Sequence, residues 1–138
     1  MERSEAIDEE YLFEGRVIVS ETDTKGFIIY ANRKFCEISG YTFDELMGQP
    51  HNIIRHPDMP KKAFETMWNT IKKGQTWTGF VKNLRKDGKY YWVETTISPT
   101  FDDDGNIKSY IAARKPASRH SIEEAQTLYR TMLDNEQS

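Results

Sequence analysis

The second half of the chain contains three consecutive strand-like runs, residues 77–85, 89–100 and 106–115, separated by turn residues. Asp87-Gly88 is a tight hairpin signal between the first two. Asp102-Asp103-Asp104-Gly105-Asn106 is a longer polar turn before the third. Strands joined so closely must run antiparallel. Earlier, the Val/Ile-rich run 16–21, the turn Thr24-Lys25-Gly26 and the return run 27–30 read as another hairpin. Between the two strand groups the pattern changes to a helical one.

Asn32 is a good N-cap for a short helix ending at Ser39, with Gly40 as its stop. Thr42-Phe43-Asp44-Glu45 is a capping box that opens a further turn, closed by Gly48. Asp58 is placed to cap a third helix running to Lys73. Its Ala63, Phe64, Met67, Trp68 and Ile71 fall on one stripe. The tail from Ser118 repeats Ile122, Ala125, Leu128, Tyr129 and Met132 at helical spacing. Residues 1–13 carry a weak helical period and read as an N-terminal cap, helical or frayed. The expected architecture is α+β, a five-stranded antiparallel sheet with its short helices on one face. Three segments follow from this: a cap over 1–15, a central domain over 16–116 and a C-terminal linker or signalling helix over 117–138.

Strand alternation sorts the sheet into two faces. Trp77, Gly79, Val81 and Asn83 share a side on the first late strand. Tyr91, Val93, Thr95 and Ile97 share one on the second, and Ile107, Ser109, Ile111 and Ala113 on the third. The Val81/Val93/Ile111 side is assigned to the interior. Asn83 then points inward, where a buried amide needs partners: nearby backbone, or the polar edge of a planar heterocycle. The opposite face carries Phe80, Trp92 and Tyr110, an aromatic patch that calls for a cover. The N-terminal cap, the C-terminal helix and a second subunit are the candidates.

Composition removes several classes. The 138 residues suit one domain, and 37% hydrophobic with 30% charged residues fits a soluble domain with a modest core. No apolar run approaches the roughly 20 residues needed to span a bilayer, and no signal peptide is visible. A net charge of -3 argues against a nucleic-acid partner. The single Cys36 excludes an internal disulfide and fits a reducing cytoplasm; with three scattered histidines it makes a zinc site improbable. No nucleophile–base pair is legible, so an enzyme is the least favoured class.

The densest chemistry lies in the loop Gln49-Pro50-His51-Asn52-Ile53-Ile54-Arg55-His56-Pro57-Asp58-Met59-Pro60, eight residues before Trp68. Arg55 can grip a pyrophosphate or a carboxylate bidentately. Trp68 can stack on a flat heterocycle, and His56 titrates near neutrality. Each has a plainer explanation: Arg55 and Asp58 pair with each other or cap the loop, and Trp68 is a core residue of its stripe. His51 and His120 read as surface or loop residues and Cys36 as structural.

Ala31-Asn32 through Gly48, with Phe35-Cys36, Ile38-Ser39-Gly40-Tyr41-Thr42 and Glu45-Leu46, resembles the early helical half of a PAS domain. Lys86-Asp87-Gly88-Lys89-Tyr90-Tyr91-Trp92 and Ser98-Pro99 resemble its hairpin. Within that family the Arg55-His56-Pro57-Asp58-Met59-Pro60 run, with Met67-Trp68 and Lys72-Lys73-Gly74, is similar to the PAS domain of bacterial aerotaxis receptors. The resemblance covers about residues 17–114. It implies non-covalent FAD, redox sensing and relay to a chemotaxis transducer with a HAMP-type signalling module. Matched residue by residue, it places Arg55, His56, Asp58 and Trp68 at the flavin, with Asn32 and Asn83 at polar contacts. Trp77, on the Asn83 face, joins this cofactor set. It also implies a cytoplasmic location and a homodimer formed through the cap, the outer sheet face or the C-terminal helix. Such receptors carry a membrane anchor beyond the PAS domain, which this chain lacks. Both a fragment and a stand-alone protein beside a separate membrane transducer stay open. Light-sensing PAS flavoproteins carry a reactive cysteine where this chain has Ile53-Ile54-Arg55-His56, and an asparagine where it has Val93. That favours redox over photochemistry. The alternatives are a PAS domain holding haem, with His56 as ligand, or another small ligand, and a ligand-free dimerisation module.

Overall fold

The computed structural model describes residues 4–15 and 17–137. The expected first strand therefore begins in part at Arg16, which lies outside the described residues, as do residues 1–3 of the cap and Ser138. The elements are β1 (Ile18–Thr22), β2 (Ile28–Ala31), α1 (Arg33–Ser39), α2 (Phe43–Leu46), a 3₁₀ turn (His51–Ile54), α3 (Lys61–Lys72), β3 (Trp77–Leu84), β4 (Tyr90–Phe101), β5 (Ile107–Pro116) and α4 (Arg119–Gln137). One antiparallel sheet takes the order β2-β1-β5-β4-β3. The expected α+β architecture is the observed one.

Local chemistry fixes the helix starts and the hairpin. The Asn32 carboxamide accepts from the Phe35 amide at 3.0 Å and from the Val19 amide at 3.1 Å, and donates to the Val17 carbonyl at 3.1 Å. It thereby caps α1 and ties that helix to β1. Thr42 and Glu45 form the reciprocal capping box at 3.1 and 2.9 Å. Gly88, at φ 92°, makes the β3–β4 turn in a conformation that favours glycine. The Asp87 carboxylate takes the Lys89 amide and the Arg85 guanidinium there. The Arg85 guanidinium also reaches the Glu37 and Ile38 carbonyls at the end of α1.

Three expectations need correction. Residues 4–15 form no helix: the Ile7 and Tyr11 amides donate to the Gly88 and Tyr90 carbonyls, and the Tyr90 amide to Glu9. Free backbone groups beside the hairpin outweigh a weak helical period. Asp58 does not cap α3. Pro60 holds the cap position without a side-chain bond, and the α3 amides of Lys61 and Lys62 donate to Glu136 near the end of α4, at 3.1 and 3.0 Å.

The third correction concerns β5. Its inward residues are Tyr110, Ala112 and Arg114, all buried, while Ile111 is 37% exposed. A bulge between Thr100 and Phe101 moves the register by one residue, so that Ile97 opposes Ala112 and Thr95 opposes Arg114. Tyr110 therefore leaves the expected outer patch and packs inside with Met67 and Ile71. The rest of that patch is covered by α4. Ile122 and Ala125 pack on Trp92, with Phe80 at the margin. Tyr129 stacks on Trp92 at 6.3 Å and donates its hydroxyl to the Phe80 carbonyl at 2.6 Å. Leu128, expected on the buried stripe, is 56% exposed.

Candidate ligand-binding site

Between the inner sheet face and α3 lies a cavity of about 280 Å³. Ser20 and Thr22 of β1, Val81 and Asn83 of β3, Thr95 and Ile97 of β4, and Tyr110, Ala112 and Arg114 of β5 form its floor. Its roof is the α3 stripe of Phe64, Met67, Trp68 and Ile71, and its side is the 3₁₀ turn with His51, Asn52 and Ile54, followed by Arg55. Trp68 meets Tyr110 edge-on at 5.7 Å. Gly26, at φ 92°, brings the β1–β2 turn against the Trp68 ring, where an added Cβ would lie 3.4 Å from it.

Arg55, Trp68 and Asn83 line this cavity. Arg55 lies over the Phe64 ring at 4.2 Å, and its backbone bridges to Asn83 at the edge of β3. The structure places Asn32, His56, Asp58 and Trp77 elsewhere. The Asn32 carboxamide is spent on the α1 cap. The buried His56 accepts the Asp58 amide on Nδ1 at 3.0 Å and borders a separate open groove beside α4. The Asp58 carboxylate goes to Lys82 at 2.8 Å. Burial would raise its pKa, but the hydrogen bond and charge of Lys82 prevail and hold it below the ordinary value. Trp77 folds over Gly79, where an added Cβ would collide with the indole at 2.5 Å. His120 is exposed and pairs with Glu124. Cys36 packs partly against the core and does not line the cavity.

Besides Tyr110 and Ala112, which the shifted register turns inward, two polar cavity residues escaped the sequence reading. His51, expected as a surface or loop residue, sits with Nε2 at 2.8 Å from Arg114 Nη2 and 3.2 Å from Ser20 Oγ. Because arginine can only donate, Nε2 must accept, which fixes the neutral Nδ1–H tautomer. Arg114 is 4% exposed and sits 5.0 Å from the Phe35 ring. Its Nη1 has no hydrogen-bond partner, nor has the hydroxyl of its cross-strand neighbour Thr95. Burial pulls the Arg114 pKa to about 10, which leaves it charged at neutral pH. The signal for Arg114 was an arginine at the end of a small-residue strand, but its face depends on the bulge.

Burial, then the Arg114 charge, holds the His51 pKa down at about 3, against 6.5 for the free side chain. Between pH 6.5 and 3 the unfolded chain therefore takes up a proton that the folded chain refuses. Stability is expected to fall as pH falls through that window, by up to about 1.4 kcal/mol per unit at this group. His51→Gln should flatten this part of a urea-denaturation pH profile. An unchanged slope would place the titration elsewhere.

The sheet order, with helices closing a cavity against one face, defines an α+β module built around an internal pocket. The family model for the PAS fold matches residues 28–114, and the chain belongs to that family. It is 45% identical over 121 residues to the aerotaxis receptor of Escherichia coli (strain K12), covering 88% of this chain and 24% of the receptor. It is 30% identical over 119 residues to the nitrogen fixation regulatory protein of Klebsiella oxytoca, covering 86% of this chain and 24% of that protein. The chain thus spans about a quarter of the length of these relatives. Among solved structures, the light state of the blue-light photoreceptor Aureochrome1 LOV superposes with a TM-score of 0.69 at 27% identity, covering 87% of this chain and 90% of that one. The chain is a PAS sensor domain of the aerotaxis-receptor type. Among the described residues, no helix is long and apolar enough to cross a membrane and no acidic, histidine or cysteine cluster suits a metal.

Proposed function

We propose that this domain binds FAD non-covalently and reports redox state to a chemotaxis transducer. The observation that carries the reading is the cavity itself. It has apolar walls in Ile54, Val81, Ile97 and Met67 and a few polar groups gathered on the sheet, two of them without partners. A flat ring with an acceptor edge fits that distribution. At the mouth, Lys25, Arg55, Lys61 and Lys72 surround an open groove that shares Phe64 and Trp68 with the cavity. This basic rim suits a pyrophosphate and favours the dinucleotide over a ring carrying a single phosphate.

When bound, the flavin supplies the electron chemistry. The Asn83 carboxamide would meet the polar edge of the ring, Trp68 would wall one side, and Arg55 would hold the phosphates. His56 and Asp58 act on the ligand indirectly, by locking the loop that aims Arg55, and Asn32 by anchoring α1 against β1. Trp77 braces the sheet beside the cavity. The 3₁₀ turn offers Ile53 and Ile54 where a photoadduct would need a thiol, which supports redox over light. The haem reading loses support because the Nδ1 of His56 accepts a backbone amide and the residue does not line the cavity. The likeness to the aerotaxis receptor supports a chemotaxis transducer with a HAMP-type module as output partner, a cytoplasmic setting and a homodimer.

The test is the absorbance of the purified chain and the mass of the molecule it releases on denaturation. The expected result is the two-band flavin spectrum and the mass of FAD. A Soret band, or a folded protein that takes up no flavin on reconstitution, overturns the reading. Released FMN would overturn only the dinucleotide part.

A further inference from the structure

Thr95 and Arg114 are direct cross-strand partners on β4 and β5. Both face the cavity, both are at least 96% buried by area (2% and 4% exposed), and each carries an atom without a hydrogen-bond partner. Buried polar groups left unpaired are rare and costly, and a buried cation without an anion is more so. Every other contact of Arg114 is with something uncharged. Nη2 donates to the neutral His51 and the guanidinium faces Phe35. The carboxylates of the two neighbouring strands are already engaged: Glu94 of β4 pairs with Lys115, and Glu21 of β1 takes the Ser109 hydroxyl. Arg114 thus has a donor and a full charge directed at a space that the chain itself does not fill.

We propose that Thr95 and Arg114 form a two-donor subsite that grips a ring oxygen of the bound ligand and binds the ring more tightly when that edge is negatively charged. The inference rests on the flavin reading above. For a flavin, uptake of two electrons and one proton converts the neutral oxidised ring into a reduced ring carrying one negative charge. Arg114 stands where that charge is stabilised in a low-dielectric setting. Its neutral histidine neighbour leaves the guanidinium charge uncompensated until the ligand supplies it. Arg114 thereby sets which redox state the domain holds more firmly, and so shifts the potential of the bound ring, while Thr95 holds the ring in either state.

The test compares wild type with Arg114→Gln, Arg114→Lys and Thr95→Val in the full chain. Dissociation constants for oxidised FAD and for FAD reduced by excess dithionite (oxidised in turn to sulfite) are measured anaerobically, and ligand-free melting temperatures alongside. Arg114→Gln is expected to lose at least about tenfold of the preference for the reduced ring, equivalent to about 30 mV for a two-electron couple. Arg114→Lys, which keeps the charge, should recover most of it. Thr95→Val should weaken both states by similar factors. Neither Arg114→Gln nor Thr95→Val should melt below the ligand-free wild type. An unchanged preference in Arg114→Gln overturns the proposal, and so does a parallel loss of affinity and melting temperature, which marks a structural strut. If Arg114→Gln does not fold, Thr95→Val decides: unchanged affinity in both states overturns the subsite, and so does a loss of affinity matched by a loss of ligand-free melting temperature. A wild type that binds FAD in neither state overturns the flavin reading itself and the subsite with it.

Discussion

Ala112→Phe is expected to give a folded protein that carries no flavin. Ala112 lies on the cavity floor between its strand partners Ile97 and Ser20, and is 7% exposed. The new ring has one open direction, into the 280 Å³ cavity that the ligand needs. Overpacking a filled core costs ~1–3 kcal/mol. Here the ring enters free space, so stability should fall by less. Flavin affinity should drop by at least about 100-fold, or about 2.8 kcal/mol. Fluorescence titration with FAD and a thermal melt measure the two effects separately. A folded variant that still binds flavin at wild-type affinity would mean that the ligand sits outside this cavity.

Phe35→Ala is expected to destabilise the fold by about 3–5 kcal/mol. Phe35 is fully buried at the centre of the core cluster formed by β1, β2, α1 and the loop after α2. Its ring also faces the Arg114 guanidinium at 5.0 Å and the His51 ring at 5.9 Å. The substitution therefore leaves a hole and removes a favourable surface from a buried cation. Domains of this size are stable by only about 5–15 kcal/mol, so a large share of the stability would be lost. A urea midpoint that falls at constant slope is the readout. A loss under about 1.5 kcal/mol would mean that the site collapses around the gap.

What the sequence made legible was local. The Asn32 and Thr42/Glu45 caps, the Asp87-Gly88 turn and the α3 stripe depend on residues within a few positions of one another, and all were readable. What was missed depended on distant partners. One extra residue on β5, Lys108, left unpaired where Thr100 opposes Ser109 and Phe101 opposes Ile107, decides which face of β5 looks inward, and strict alternation along the strand does not reveal it. Tyr110, Ala112 and Arg114 were lost for that reason, although each lines the cavity. His51 read as a surface histidine because its partners, Ser20 and Arg114, are 31 and 63 residues away. Of the seven predicted cofactor residues, Arg55, Trp68 and Asn83 reach the cavity. The other four do not line it: His56 and Asp58 found backbone and ion-pair partners nearer at hand, Asn32 caps α1, and Trp77 folds over Gly79.

The cap of α3 has a consequence for the order in which the chain takes shape. The carboxylate that closes this helix belongs to Glu136, 75 residues beyond Lys61. At a synthesis rate of about 5–20 residues per second, the amides of Lys61 and Lys62 emerge roughly 4–15 s before their acceptor exists. Throughout that interval the roof of the cavity has an open N-terminal end, with β3, β4 and β5 still being made. The domain is therefore sealed last at a helix made before three of its five strands, by the final turn of α4.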